Sequence, residues 1–169
     1  GGFPGTRQGA DRCSEEIMKN KTGPFRAEQA EASSGFLLWQ VVSLWQRGIS
    51  RELAPLGLSH SQFVLLASLT WLRMHGSSVS QRELADHATM DAMTVSTVLR
   101  RLEATGHVQR KPHATDTRAR DLRVTPKGKA AANKAVHAVE QFDETFFAAL
   151  GVQRPAFAQG LMQLVKGNK

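Results

Sequence analysis

Ser80-Gln81-Arg82-Glu83-Leu84-Ala85-Asp86-His87-Ala88-Thr89-Met90-Asp91-Ala92-Met93-Thr94-Val95-Ser96-Thr97-Val98-Leu99-Arg100-Arg101-Leu102-Glu103-Ala104-Thr105-Gly106 carries two consecutive helix specifications joined by a short turn. Ser80 and Glu83 form a Ser-x-x-Glu capping box, whose hydroxyl and carboxylate satisfy the orphan backbone N–H groups of a helix start. The short helix it opens turns Leu84, Ala85 and Ala88 inward, and Ala88 to Met90 make the turn. Asp91 then caps a second helix with Val95, Val98, Leu99 and Leu102 at i, i+3, i+4 and i+7, and Gly106 supplies the left-handed stop. With that stripe buried, rotation of about 100° per residue centres the opposite face on Met93, Thr97 and Arg100, with Ser96 and Arg101 on its flanks.

Such a face is usually an ordinary solvated surface when it stands alone; its neighbours change the reading. His107 to Lys111 and Asp121 to Thr125 alternate apolar and polar residues, so they read as two strands of a hairpin whose loop, Pro112 to Arg120, is rich in arginine. A short capped helix, a turn, a second helix and a basic hairpin together make a helix-turn-helix with a wing. Hydroxyls, guanidinium groups and an exposed thioether on the outward face suit phosphates and base edges in a DNA groove. Asp116 lies close enough in sequence to orient Arg118, and an arginine held this way fits a narrow minor groove. From Arg100 to Arg123 there are seven basic and three acidic residues, so this surface carries over half of the chain's excess charge.

Upstream, Ser59-His60-Ser61-Gln62 is a Ser-x-x-Gln capping box that opens a helix over Phe63 to Met74. Before it, Phe36, Leu37, Trp39, Val41, Leu44, Trp45, Ile49 and Leu53 form a broad apolar stripe on a helix ended by Pro55 and Gly57. Downstream, Thr125-Pro126 launches a long helix through Ala130, Val136, Val139, Phe142, Phe146 and Leu150, closed by Gly151, and a last amphipathic segment carries Phe157, Leu161, Leu164 and Val165. The apolar surface of these flanking helices exceeds what a small winged domain needs, which points to a partner surface.

The bulk properties agree. At 169 residues, 41% hydrophobic and 22% charged, the chain has globular composition and the size of one domain with an appendage. A net charge of +7 favours a polyanionic partner. The single cysteine, Cys13, excludes an internal disulfide and a multi-thiolate zinc site, which fits the cytoplasm. Leu53 to Leu72 is long enough and free enough of charge to suggest a membrane span, but Pro55, Gly57, Ser59, His60 and Gln62 interrupt it, so no membrane is expected. Residues 1–34 mix five basic and five acidic residues without periodicity and read as a flexible arm. That arm begins Gly-Gly-Phe-Pro-Gly-Thr, an end read as processed or in part foreign to the natural chain. No phosphate-cradling glycine loop, His-Glu-x-x-His, Gly-x-Ser-x-Gly or telling Cys-His spacing is present, so neither catalysis nor a cofactor is expected.

From Phe36 to Leu164 the chain resembles the multiple antibiotic resistance regulator (MarR) family of bacterial winged-helix transcription factors. The resemblance rests on Gly57-Leu58-Ser59 to Leu66, on Gln81-Arg82-Glu83-Leu84-Ala85 and on Met90-Asp91 with Thr94-Val95. It continues through Arg101-Leu102-Glu103 and Gly106, the wing Asp116-Thr117-Arg118-Ala119-Arg120, and the exit Leu122 to Gly128. It implies a mainly α fold with a small β-hairpin wing: a winged helix-turn-helix over residues 58–125, with dimerisation helices over residues 35–54 and 126–166. The function implied is a homodimeric, sequence-specific repressor on a pseudo-palindromic operator in the cytoplasm, on the nucleoid. Its expected DNA contacts are Ser80, Gln81, Ala92, Met93, Thr94, Ser96, Thr97, Arg100, Arg101, Asp116, Arg118 and Arg120.

The family also implies release by a small molecule such as an aromatic carboxylate, in a cleft to which Trp39, Phe63 and Leu66 are assigned. A peroxide-sensing branch uses a reactive thiol oriented by tyrosines. Here there is no tyrosine, and Cys13 sits among Asp11, Arg12, Glu15 and Glu16 with nothing to depress its pKa. A zinc-sensing branch needs clustered ligands, whereas His60, His75, His87, His107, His113 and His137 are scattered. The alternative from another class is an architectural or partner-binding winged helix with non-specific DNA affinity.

Overall fold

The structure, a computed structural model, describes residues 33–76, 78–112 and 120–168. The chain divides between Leu44 and Trp45 into two units. Of the first unit, the described part is the N-terminal portion of helix α1 (Ser34–Leu53), where Phe36 and Trp39 stack at 6.2 Å.

The second unit holds the rest of α1, a 3-10 turn (Ala54–Leu56), α2 (His60–His75), α3 (Gln81–Ala88), α4 (Ala92–Ala104), strands β1 (Val108–Pro112) and β2 (Arg120–Val124), α5 (Pro126–Phe146), a second 3-10 segment (Phe147–Gln153) and α6 (Arg154–Gly167). The stretch read as too interrupted for a membrane span is broken by the 3-10 turn and by Gly57, which takes φ +67°. Among the described residues no single helix is long and apolar enough to cross a membrane.

Local chemistry explains most boundaries. The capping boxes at Ser59/Gln62 and Ser80/Glu83 form with both reciprocal bonds, and Thr125 accepts from the Gly128 N–H to start α5. Because Ser59 is the cap, α2 begins at His60, one turn earlier than its apolar residues suggest. The strands are antiparallel, with Val108 opposite Val124, Arg110 opposite Leu122 and Pro112 opposite Arg120. The Leu122 N–H donates to the Val79 carbonyl at 2.9 Å, which docks the segment before α3 onto β2.

The core is one cluster in which Leu65, Leu66 and Leu69 of α2 and Leu84 of α3 meet the α4 stripe Val95, Leu99 and Leu102, closed by Leu122 and by α5. On α5 the expected inward face is corrected: Ala130 is exposed, while Gly128, Ala132, Ala135 and Val139 are buried. Small side chains let α5 approach closely, which an apolarity count overlooks. At its far end α5 meets α1, where Gly48 leaves the space that the Phe142 ring fills and Trp45 Nε1 donates to Asp143 at 2.7 Å. The helix expected to run to Leu150 ends at Phe146 and continues as 3-10 turns. In the α1 stripe only Ile49 and Leu53 are buried, and α6 buries no residue.

Candidate nucleic-acid interface

The turn between α3 and α4 depends on Thr89, a non-glycine residue at φ +53° whose N–H bonds back to Ala85 and Asp86. A left-handed threonine carries local strain, held here by the helices on either side. Asp91 then starts α4: its Oδ1 accepts the Thr94 N–H at 2.8 Å, and the Thr94 hydroxyl donates to Oδ2. The Thr94 hydroxyl and amide hold the Asp91 carboxyl below the usual carboxylate range, so it is ionised at neutral pH.

With the stripe buried, α4 presents Ala92, Met93, Thr94, Thr97, Arg100 and Arg101 as exposed residues and Ser96 as half-buried. Arg100 lies back along the helix, with Nε 3.4 Å from the Ser96 carbonyl and a terminal nitrogen 3.4 Å from Thr97 Oγ1. Ser80 and Gln81 are half-buried at the head of α3, and the Ser80 hydroxyl already donates to Glu83 at 2.7 Å. The Ser80 oxygen therefore remains to a ligand only as an acceptor. Arg120 is exposed on β2 opposite Pro112. Asp116 and Arg118 lie outside the described residues.

The wing is tied to the helices by charged groups that the sequence reading did not single out. Asp121, 3% exposed, accepts from Arg123 Nε at 2.8 Å, Arg73 at 3.0 Å, the Val79 N–H at 3.1 Å and the Ser78 hydroxyl at 3.2 Å. Burial pushes its carboxyl up, but the bonds from Arg123, Val79 and Ser78 and the Arg73 charge outweigh burial and hold it below the ordinary range. One carboxylate thus links β2, the end of α2 and the entrance to α3. The only signal in the sequence was an acidic residue between arginines in a short strand. Glu103 of α4 meets Arg110 of β1 at 3.3 Å, and Lys127 Nζ donates to the Thr105 carbonyl at 2.7 Å where α4 ends against α5. His107, buried at the same junction, bonds through Nδ1 with Thr105 at 2.7 Å, and burial with the Lys127 charge pushes its pKa down.

An open cavity of about 630 Å³ lies between α2 and α5, lined by Trp71, Met74, Ala132, Val136 and Glu140 and reached by His87 of α3. The Trp71 ring lies 5.0 Å from His87, nearly parallel, and 4.2 Å from His75. The residues assigned to an effector cleft from sequence do not line it: Leu66 is sealed in the core, Phe63 packs against that core, and Trp39 is an exposed residue of the first unit. Leu66 faces the core side of α2, whereas this cavity opens along the adjacent face of that helix. Among the described residues no group of three or more His, Cys, Asp or Glu side chains is placed to hold a metal.

Comparison with known proteins extends this geometry. Residues 56–141 match the ArnR1-like, winged-helix domain family. The chain is 40% identical over 134 residues to the uncharacterized HTH-type transcriptional regulator YdcH of Bacillus subtilis, covering 79% of this chain and 90% of that one. The crystal structure of the Mycobacterium tuberculosis MarR family protein Rv2887 in complex with salicylic acid is 33% identical, with a TM-score of 0.59 over 78% of this chain and 95% of that one. A mutant MarR from E. coli complexed with operator DNA, 23% identical, shares the fold with a TM-score of 0.70 over 81% of this chain and 96% of that one.

Proposed function

Because the chain belongs to the MarR family of winged-helix transcriptional regulators, we propose that it is a sequence-specific repressor that binds a pseudo-palindromic operator as a homodimer. The observation that carries this reading is α4: its buried stripe fixes the helix in the core while Ala92, Met93, Thr94, Thr97, Arg100 and Arg101 project outward beside the basic wing. Residues 58–125 form the reading head in this proposal.

Dimerisation is supported by apolar surface that each unit leaves uncovered. Phe36, Leu37, Leu38 and Trp39 are exposed on α1, as are Phe157, Leu161, Leu164 and Val165 on α6. A two-fold dimer sets the half-site centres about 10 base pairs apart, or a multiple of that. The regulator acts without catalysis, in the cytoplasm on the nucleoid.

Arg100→Ala tests the contact face. With Arg100 reading a base, the variant loses about 1–3 kcal/mol per half-site and relaxes specificity at one symmetric operator position, measured by anisotropy on a set of single-position operator variants. An equal loss across all sequences would instead favour an architectural protein that holds only the backbone.

The effector site in this reading is the cavity between α2 and α5. The salicylic acid complex of the relative Rv2887 supports a small aromatic carboxylate as occupant. Trp71 stacks on His87, a residue of α3, so a planar ligand beside the indole bears on the helix that positions α4. Salicylate added to the protein on its operator should quench tryptophan emission and release DNA at the same concentration. In Trp71→Phe the quenching should vanish; quenching unchanged by that substitution would place the ligand elsewhere.

A further inference from the structure

Polar chemistry is scarce at the leading end of α4. Met93 is 83% exposed and has a thioether, with no donor, at its tip. Ala92 beside it offers only a methyl. Thr94, exposed beside Met93, has committed its hydroxyl proton to Asp91 Oδ2, which leaves it a methyl and an oxygen that can only accept. Asp91 itself is ionised, and both of its oxygens are occupied by Thr94. No side chain at this end of the helix offers a phosphate a donor, and the ionised Asp91 beside them carries a negative charge, so the side chains here are poorly suited to the DNA backbone. The donors lie further along the same face, at Arg100 and Arg101, and on the wing at Arg120.

We propose that α4 divides its labour, with Met93, flanked by the methyls of Ala92 and Thr94, reading thymine through its C5-methyl group while Arg100 supplies the polar contact. This rests on α4 being the recognition helix. The leading residues of such a helix meet base edges in the major groove, where thymine is the base that presents a methyl group. The unbranched, polarisable methionine side chain adapts to that methyl without needing an aligned hydrogen bond.

Uracil tests the inference because it differs from thymine only by the missing methyl. An operator would be selected from a randomised duplex library with the full chain. Each thymine in it would then be replaced singly by deoxyuridine, and binding would be followed by anisotropy at fixed salt. The expected result is one thymine per half-site whose demethylation weakens binding about fourfold, and about fifteenfold when both are replaced, the loss of one buried methyl per site. In Met93→Ala that ratio should collapse toward one, although the variant binds the thymine operator more weakly. In Arg100→Ala overall affinity should fall with the uracil ratio kept.

A selected operator at which no thymine is sensitive to demethylation would overturn the inference and leave the regulator reading standing. So would a uracil penalty that persists undiminished in Met93→Ala. A library that yields no preferred sequence would overturn both. Because the readout changes the DNA, a loss of folding in a variant cannot imitate the wild-type result.

Discussion

Replacing Asp121 by alanine is expected to lower stability by about 3 kcal/mol and the melting temperature by about 10 °C. The substitution leaves Arg73, whose side chain is 25% exposed, without this carboxylate, and removes the acceptor of the buried Val79 N–H. The other arginine, Arg123, is 45% exposed and returns to water easily, which keeps the figure near the lower end of what breaking a buried ion pair costs. Because β2, the end of α2 and the entrance to α3 all meet at this carboxylate, the wing should loosen first, seen as faster amide exchange at Leu122 than at Leu99. Melting indistinguishable from the parent chain would show that the linkage is dispensable.

The pH dependence follows from the same group. The folded Asp121 carboxyl lies below its ordinary value near 3.9, so its contribution is complete above about pH 5 and is lost as pH falls below the ordinary value and through the lowered folded one. His60 and His107 act in the same direction at higher pH. Burial depresses both, so the folded chain binds fewer protons than the unfolded one, and stability declines as pH drops below about 6.5. The parent chain should therefore lose stability in two steps on acidification, with the lower step reduced in Asp121→Ala.

Gly128→Ala is expected to cost about 3 kcal/mol or more. A Cβ built there overlaps the His107 carbonyl oxygen and stands 2.9 Å from both the His107 carbonyl carbon and Val124 Cγ1. That carbonyl already accepts from Thr125 at 3.0 Å, so backbone rather than a flexible side chain would have to move where the wing meets α5. Chemical denaturation of Gly128→Ala indistinguishable from the parent chain would refute the close approach at Gly128.

What could be read from the sequence was local. Ser59, Ser80, Asp91 and Thr125 cap helices because a cap and its partner lie within one turn, and Gly106 takes φ +75° as a helix stop does. The α4 stripe is regular because one face of that helix meets the core and the other does not. Thr89 gave no sign, since a threonine in a left-handed turn is set by the helices it joins. Asp121 was read as a strand residue because its partners Arg73, Ser78 and Val79 are more than forty positions away. The α5 face is not legible from apolarity because close packing there selects Gly128, Ala132 and Ala135 over larger apolar residues.

The central claim is that the α4 surface reads a sequence. It is tested most directly by anisotropy binding of the full chain to the DNA upstream of its own gene and to a shuffled duplex of the same composition, each across a salt series. The predicted result is a preference of about a thousandfold or more for the native fragment, with a steep salt slope on both duplexes. Equal, salt-sensitive binding to the two would contradict it and leave a protein that holds DNA without reading it.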